Sequence, residues 1–403
     1  MDSTATKTNK KSIATFCYQC VAGPDLMKVE VEDGIATRME SNYDIQDEHP
    51  GGGRVCVKAY GLIQKTYNPH RIKTPMKRTN PIKSRDEDPG FVAITWEEAL
   101  NTVAEKMRKI INTNLLDESG FPRIAASFGG GGTPTQYMGT FPALLSAIGK
   151  IDLGFGAGQG VKCYHSEHLY GELWHRAFIV AVDSPLVNYI LSCGHNGDAA
   201  AGVAGIWRHA DARVRGMKRV QVEPHQSITG GVAAEWIPIK PKTDSAFLYG
   251  VIHRILIERN WREICDVERL EQDSNSPYLI GPNGYWMRDA KTHKPLIFDL
   301  DDQTAKPFDT DIHRPGMEGK FVVSGIEIGA DEDKWVHDNI EVTTSFQQLI
   351  EHMKEYTPEW AEEQSDVPAE RIRTVADEFV SNACVGQTIK VEGEEMPFRP
   401  VAI

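Results

Sequence analysis

Clustered basic residues are missing from this sequence, and so is any apolar run long enough to cross a membrane. Its 44 Lys and Arg are outnumbered by 57 Asp and Glu, leaving a formal net charge of -13 at pH 7. A phosphate backbone is neutralised by clustered cations, so nucleic acid is excluded as the expected partner. A spanning helix needs about 20 consecutive apolar residues, and no stretch approaches that. The first dozen residues, MDSTATKTNKKS, carry neither an apolar signal core nor a twin-arginine pair, and the chain reads as cytoplasmic with no membrane span. Cysteine is sparse and odd in number, seven in 403 residues. That excludes the dense disulfide framework of a small secreted scaffold and leaves reduced thiols available for metal.

What is present is an ordinary globular balance, 40% hydrophobic and 25% charged, with mass enough for two or three cores. FCYQC is followed by MKVEVEDGIATRME, which reads as two short strands around an Asp33-Gly34 turn and so as a small β-rich entry domain over residues 1–78. Thr95-Trp-Glu-Glu98 offers a capping box ahead of AEKMRKII, whose apolar spacing predicts a helix from about Trp96 to Asn112. IAASFGGGG reads as a strand running into a glycine-rich loop. VNYILSCGHN and VRGMKRVQVEPH read as buried strands ending in polar residues, with TDSAFLYGVIHRILIERN as a helix. The region 79–403 is therefore α/β, a class whose ligands sit beyond the carboxyl ends of the strands. From about 271 to 338 the text turns acidic and turn-rich, which predicts an inserted, hairpin-rich segment. AERIRTVADEFVSNA resumes a helical pattern, and FRPVAI ends the chain as a strand-like stretch.

Cys17 and Cys20 have the spacing that lets one tight turn aim two thiolates at a single centre, and Cys56 supplies a third. By residue pattern alone this fits structural zinc as well as an iron–sulfur cluster. Lys58, two residues after Cys56, favours the cluster, because a cation beside an anionic cluster has a use that zinc does not offer. Three thiolates are one short of the usual four, and Asp25 stands nearest to the missing position. A hard carboxylate there implies a labile or three-iron form.

The densest polar stretch is GQGVKCYHSEHLYGELWHRAF, which gathers Cys163, His165, Ser166, Glu167, His168, Glu172 and His175. Imidazole titrates near neutrality, so His165, His175 and Glu172 are candidate proton donors. The same residues fit helical spacings at which they would pair only with one another. The alternative reading of Cys163 is an inert buried thiol, and Cys193, Cys265 and Cys384 read as small buried hydrophobes.

These motifs, spread along the whole chain, resemble the molybdopterin oxidoreductases of the dimethyl sulfoxide reductase superfamily. Cys56-Val-Lys58 resembles the family's Cys-x-Lys, and the segments Tyr67 to Arg78 and Ile94 to Leu100 resemble those that follow it. The resemblance implies a 4Fe-4S cluster on Cys17, Cys20 and Cys56, with Asp25 in place of the missing cysteine and Lys58 between cluster and pterin. It implies two molybdopterin guanine dinucleotides and molybdenum or tungsten. SCGHN resembles the family's strand-to-loop turn, where Gly194 admits a phosphate and Asn196 donates to the cofactor. QVEPH places Glu223 where a carboxylate accepts ribose hydroxyls, and Pro-x-Thr-Asp places Thr243 and Asp244 against the guanine. Cys163, with Ser166 second, is implied as the protein's own ligand to the metal.

The implied fold is a small β-rich iron–sulfur domain followed by Rossmann-like α/β domains, with the family's C-terminal β-barrel absent. The implied protein is the N-terminal portion of a catalytic subunit that transfers oxygen or two electrons for a small-molecule substrate. Its implied partners are a second polypeptide that completes the catalytic subunit, together with an iron–sulfur electron-transfer subunit. The competing readings are a non-catalytic iron–sulfur or partner-dependent half-subunit, and a zinc-stabilised α/β protein binding an ordinary nucleotide.

Overall fold

The computed structural model describes residues 9–17, 25–48, 51–128, 141–149, 152–155, 182–200 and 202–403. The chain divides into two compact units, residues 1–182 with 198–209 and residues 183–197 with 210–403, each described by itself.

In the first unit, β1 (Lys10–Cys17), β2 (Asp25–Glu32) and β3 (Ile35–Ser41) form an antiparallel sheet in that order. The turn between β2 and β3 falls on Asp33 and Gly34, whose φ of 48° and 84° are those of a type I′ hairpin. Alternation along the strands turns Met27 and Met39 inward, where they bury with Cys17 and Ala59. Gly53, at φ +69°, lies so close to Asn42 that an added Cβ would sit 2.0 Å from its carbonyl oxygen. Short helices Val57–Tyr60 and Leu62–Thr66 follow. The pair β4 (Met76–Arg78) and β5 (Phe91–Ala93) leads to the helix Trp96–Thr113. Thr95 caps that helix, its Oγ1 accepting from the Glu98 N–H at 3.1 Å, a contact worth about 1 kcal/mol. Parallel strands β6 (Ala125–Phe128) and β7 (Asp152–Phe155) bracket the helix Phe141–Ile148, as a parallel crossover requires.

The second unit is built on β8 (Tyr189–Cys193), β9 (Lys218–Glu223) and β10 (Glu235–Pro238). The turn-rich stretch folds as β11 (Leu279–Ile280), β12 (Leu296–Asp299), β13 (Thr304–Pro307), β14 (Lys320–Ile328) and β15 (Lys334–Thr344). Its hairpins close over a separate apolar core of Leu279, Met287, Leu296, Phe298, Val323 and Val342. After the hairpin of β16 (Thr388–Val391) and β17 (Glu394–Pro397), β18 (Val401–Ala402) returns beside β8. The result is a parallel sheet in the order β10-β9-β8-β18.

Period-two alternation on β9 sends Val220 and Val222 to one face, where they join Tyr189, Leu191 and Ile237. The helices Asp244–His253, Pro358–Ser365 and Ala369–Asn382 cover that face with Phe247, Val251, Ala361, Ile372 and Val375. Gly250 permits the helix contact, since a Cβ there would meet the Ala361 Cβ at 2.8 Å. Arg219, Gln221 and Glu223 point to the opposite face and are nonetheless buried. No helix among the described residues is long and apolar enough to cross a membrane.

Candidate nucleotide-cofactor site

The carboxyl ends of β8, β9 and β10 lie side by side, because the strands are parallel and in adjacent register. The sequence-expected cofactor residues of this unit all fall at or just past these ends.

After β8, Gly194 adopts φ +64°, a conformation that disfavours any side chain, while a Cβ there would meet nothing within 4 Å. Glycine is therefore demanded by backbone geometry, and the space beside it is open to a ligand. The Asn196 Oδ1 accepts from both the Thr229 N–H at 3.2 Å and the Thr229 hydroxyl at 3.0 Å. With the oxygen so engaged, the Asn196 amide nitrogen is left as the side chain's donor. The Cys193 thiol is pushed up to about 11 by burial and by the nearby Asp244 carboxylate, which brings the start of the Asp244–His253 helix into electrostatic reach of the end of β8.

Glu223 closes β9 and is only 4% exposed. Its Oε1 accepts from the Ser227 N–H at 2.7 Å and its Oε2 from the Gln221 Nε2 at 3.1 Å. Burial works against its charge, yet the bonds from Ser227 and Gln221 and the nearness of His225 hold its carboxyl below the ordinary glutamate range. Glu223 is thus an ionised carboxylate at neutral pH. The Ser227 hydroxyl caps the short helix Ile228–Val232 by accepting from the Gly230 N–H. Gly230 itself is forced to be glycine, because a Cβ would sit 2.6 Å from the Glu223 Oε1. Thr243 occupies the N-cap position of the Asp244–His253 helix, with its hydroxyl donating to the Lys240 carbonyl at 2.6 Å.

The site therefore combines a backbone turn with open space, a buried carboxylate acceptor, an amide donor and a half-buried Asp244. That donor and acceptor set fits the ribose, phosphate and base of a nucleotide. Gln221 stands at the start of the QVEPH segment, but neither it nor Ser227, Thr229 and Gly230 is given a role by the sequence. The sequence signal for Gln221 is weak, an amide between two valines on a strand that also carries Lys218, Arg219 and Glu223.

In the first unit, Cys17 is buried and stands opposite Asp25 in the β1–β2 pairing. Cys56 is half-buried at the N-cap of the Val57–Tyr60 helix, and Ala59 from that helix packs with Cys17. Lys58 is exposed on the same turn. Cys20 lies outside the described residues, and of Asp25 only the backbone is described. Among the described residues, no group of three or more His, Cys, Asp or Glu is placed to hold a metal. Cys163, His165, Ser166, Glu172 and His175 also lie outside the described residues. Cys193 and Cys265 are half-buried against apolar neighbours, and burial pushes the Cys265 thiol up to about 11 as well.

The family model described as "Molybdopterin oxidoreductase" matches residues 71–261. A sulfite dehydrogenase polypeptide of Allochromatium vinosum is 25% identical over 382 residues, covering 91% of this chain and 36% of that protein. ArrA, the molybdopterin-containing subunit of the arsenate respiratory reductase of Shewanella sp. (strain ANA-3), is 24% identical over 394 residues, 96% of this chain and 38% of its own length. The dimethyl sulfoxide reductase DmsA of Escherichia coli is 27% identical over 267 residues, 63% of this chain and 31% of its own. Among solved structures, acetylene hydratase from Pelobacter acetylenicus shares the fold, with a TM-score of 0.56 at 17% identity over 93% of this chain and 39% of that one. The chain thus spans between about a third and two fifths of the length of the proteins it resembles. Residues 71–261 thus match the molybdopterin oxidoreductase family model, and molybdopterin-containing subunits of other enzymes are similar to this chain over most of its length.

Proposed function

We propose that this chain is the N-terminal portion of the catalytic subunit of a molybdenum or tungsten oxidoreductase, and that its second unit holds the guanosine end of a molybdopterin guanine dinucleotide. The observation that carries the reading is the meeting of Gly194, Asn196, Glu223 and Asp244 at one edge of the parallel sheet. Two dinucleotides and the metal they carry would supply the oxygen-atom or two-electron chemistry.

The protein's own residues then divide the work. Glu223 accepts from the ribose hydroxyls, Gly194 lets a phosphate lie against backbone N–H groups, and Asn196 donates its amide. Thr243 and Asp244 take the guanine, Asp244 by accepting its N–H donors. In this reading Cys163 is the side chain offered to the metal, with Ser166 second, since a soft thiolate suits molybdenum or tungsten. His165, Glu172 and His175 hold or move protons near the substrate, a small molecule.

Cys17, Cys20 and Cys56 hold a 4Fe-4S cluster in the same proposal, with Asp25 at the fourth position and Lys58 toward the pterin. Support comes from the burial of Cys17 among Met27, Met39 and Ala59, since an apolar surround of thiolate ligands shields a cluster from water.

We also propose that activity requires a second polypeptide to complete the catalytic subunit, and an iron–sulfur electron-transfer partner. The Trp96–Thr113 helix favours this, because it buries no residue and leaves Trp96 and Leu100 67% and 63% exposed along its apolar stripe. A partner-dependent half-subunit is the same observation taken to its limit.

Metal analysis of the anaerobically purified protein, alone and with the completing polypeptide, tests the reading. Iron, sulfide and molybdenum or tungsten together support it, and loss of activity in Cys163→Ala but not Ser166→Ala supports the ligand choice. Zinc alone contradicts the whole, and iron without the heavier metal leaves only the electron-transfer role.

A further inference from the structure

β9 carries a polar side chain where the strand has no need of one. Gln221 sits at the middle of the parallel sheet, between Ser192 of β8 and Trp236 of β10, with no solvent exposure at all. Burying an amide there costs free energy unless each polar atom finds a partner.

The amide is used on one side only. Its Nε2 donates to the His195 carbonyl and to the Glu223 Oε2, both at 3.1 Å. Two acceptors on the nitrogen fix which end of the amide is which. The Oε1 is buried and has no partner among the described residues. The amide thus ties together the loop after β8 and the carboxylate after β9, the two groups between which a ligand at this edge would lie.

Glu223 has no cation bonded to it among the described residues. Its two oxygens are held by one N–H each, from Ser227 and Gln221, and a carboxylate can accept about four hydrogen bonds. Two acceptor positions remain. The Ser227 N–H holds Oε1 at 2.7 Å and the Gln221 Nε2 holds Oε2 at 3.1 Å, so the rotation of the carboxyl about its terminal torsion is set by the two together, Gln221 fixing the Oε2 side.

We propose that Gln221 is the positioning residue of the nucleotide site: it orients the Glu223 carboxylate and the His195 turn so that the two free acceptor positions meet a vicinal diol. The ligand class is a ribonucleotide, and the inference rests on the nucleotide reading given above. Gln221 acts through Glu223 and the His195 turn.

The test is calorimetric binding of GDP, and of 2′,3′-dideoxy-GDP, to the full chain as wild type, Glu223→Ala and Gln221→Leu. Wild type is expected to prefer GDP. Gln221→Leu is expected to bind GDP about tenfold more weakly, the value of one hydrogen bond to a charged group, with its preference over the dideoxy analogue largely gone. Its melting temperature should fall by no more than about 8 °C, leaving the variant folded at the temperature of the binding measurement, which separates weakened binding from unfolding. Without the Gln221 donor the Glu223 carboxyl titrates higher, so the acid limb of GDP affinity should move to higher pH, a change that a merely structural residue would not produce. If Gln221→Leu does not fold, Gln221→Met, unbranched and of similar length, is measured in its place. Wild-type affinity and diol preference in the Gln221 variant, with binding lost in Glu223→Ala, would overturn the inference and leave the nucleotide reading standing. No GDP binding by wild type, or full binding by Glu223→Ala, would overturn both.

Discussion

Gly230 and Gly231 are adjacent in one short helix, and replacing each by alanine should have opposite consequences. A Cβ on Gly230 would stand 2.6 Å from the Glu223 Oε1 and 3.4 Å from the Gln226 and Trp236 side chains, whereas a Cβ on Gly231 would meet nothing within 4 Å. Neither glycine has a positive φ, so strain in the backbone does not enter. Alanine at either position gains up to about 1 kcal/mol of helix propensity. At Gly230 the carboxylate must also withdraw, and it cannot do so without loosening its 2.7 Å bond from the Ser227 N–H. Overpacking of this kind costs about 1–3 kcal/mol, and weakening a hydrogen bond to a buried charge costs about as much again. Net of the propensity gain, Gly230→Ala should lose about 3 kcal/mol, a fall in melting temperature of about 6–12 °C for a unit of this size. Gly231→Ala should hold or gain stability. Thermal denaturation of the two variants side by side, with GDP affinity as a second reading, decides it. Equal melting temperatures would refute the claim that Gly230 is reserved for the Glu223 carboxylate.

Three further outcomes follow from other contacts. Asp299 is buried and accepts from Lys306 and from the backbone N–H groups of Asp301, His313 and Arg314, which holds its carboxyl well below the ordinary range, the Lys306 bond leading. A depressed folded-state pKa gives stability that is complete above the unfolded value near 3.9 and is lost as pH falls through the folded value. Asp299→Asn should therefore melt lower than wild type at pH 7, with the gap closing below about pH 4. Gly53→Ala, whose Cβ would press on the Asn42 carbonyl at 2.0 Å in a left-handed conformation, should destabilise the first unit and lower the iron content of purified protein without altering GDP affinity. Leu100→Glu lies on an exposed face and should shift stability by no more than about 0.5 kcal/mol while abolishing co-purification with the completing polypeptide; unchanged assembly would remove the helix from the interface.

Much of this architecture is readable in the residues because its causes are local. Asp33-Gly34 between alternating strands, Thr95 three residues ahead of Glu98, and glycine at 194 each encode a turn, a cap or a positive φ in the residue itself. The hairpin-rich character of the stretch beyond 271 is visible in its glycines, prolines and acids. The pairing of β18 with β8, roughly two hundred positions apart in the chain, has no local trace. Nor does the π-helical turn Arg254–Glu258 that extends the Asp244–His253 helix. At the candidate site, Glu223 and Asn196 are picked out by the resemblance of QVEPH and SCGHN to family segments, not by residue pattern alone. Gln221, Thr229 and Gly230 are not, because their roles come from contacts between loops that only the folded sheet brings together. The family resemblance implies Thr243 against a base, whereas its hydroxyl donates to the Lys240 carbonyl, which leaves its lone pairs as the part available to a ligand.

The central claim is that the edge of the β10-β9-β8-β18 sheet holds the guanosine of a molybdopterin cofactor. It is tested most directly by counting guanine released from the anaerobically purified complex, against its molybdenum or tungsten, in wild type and in Glu223→Ala. The account expects guanine and metal together in wild type and a clear loss of guanine in the variant. Wild-type protein that carries the metal without guanine, or a Glu223→Ala complex that keeps its full complement, would contradict it.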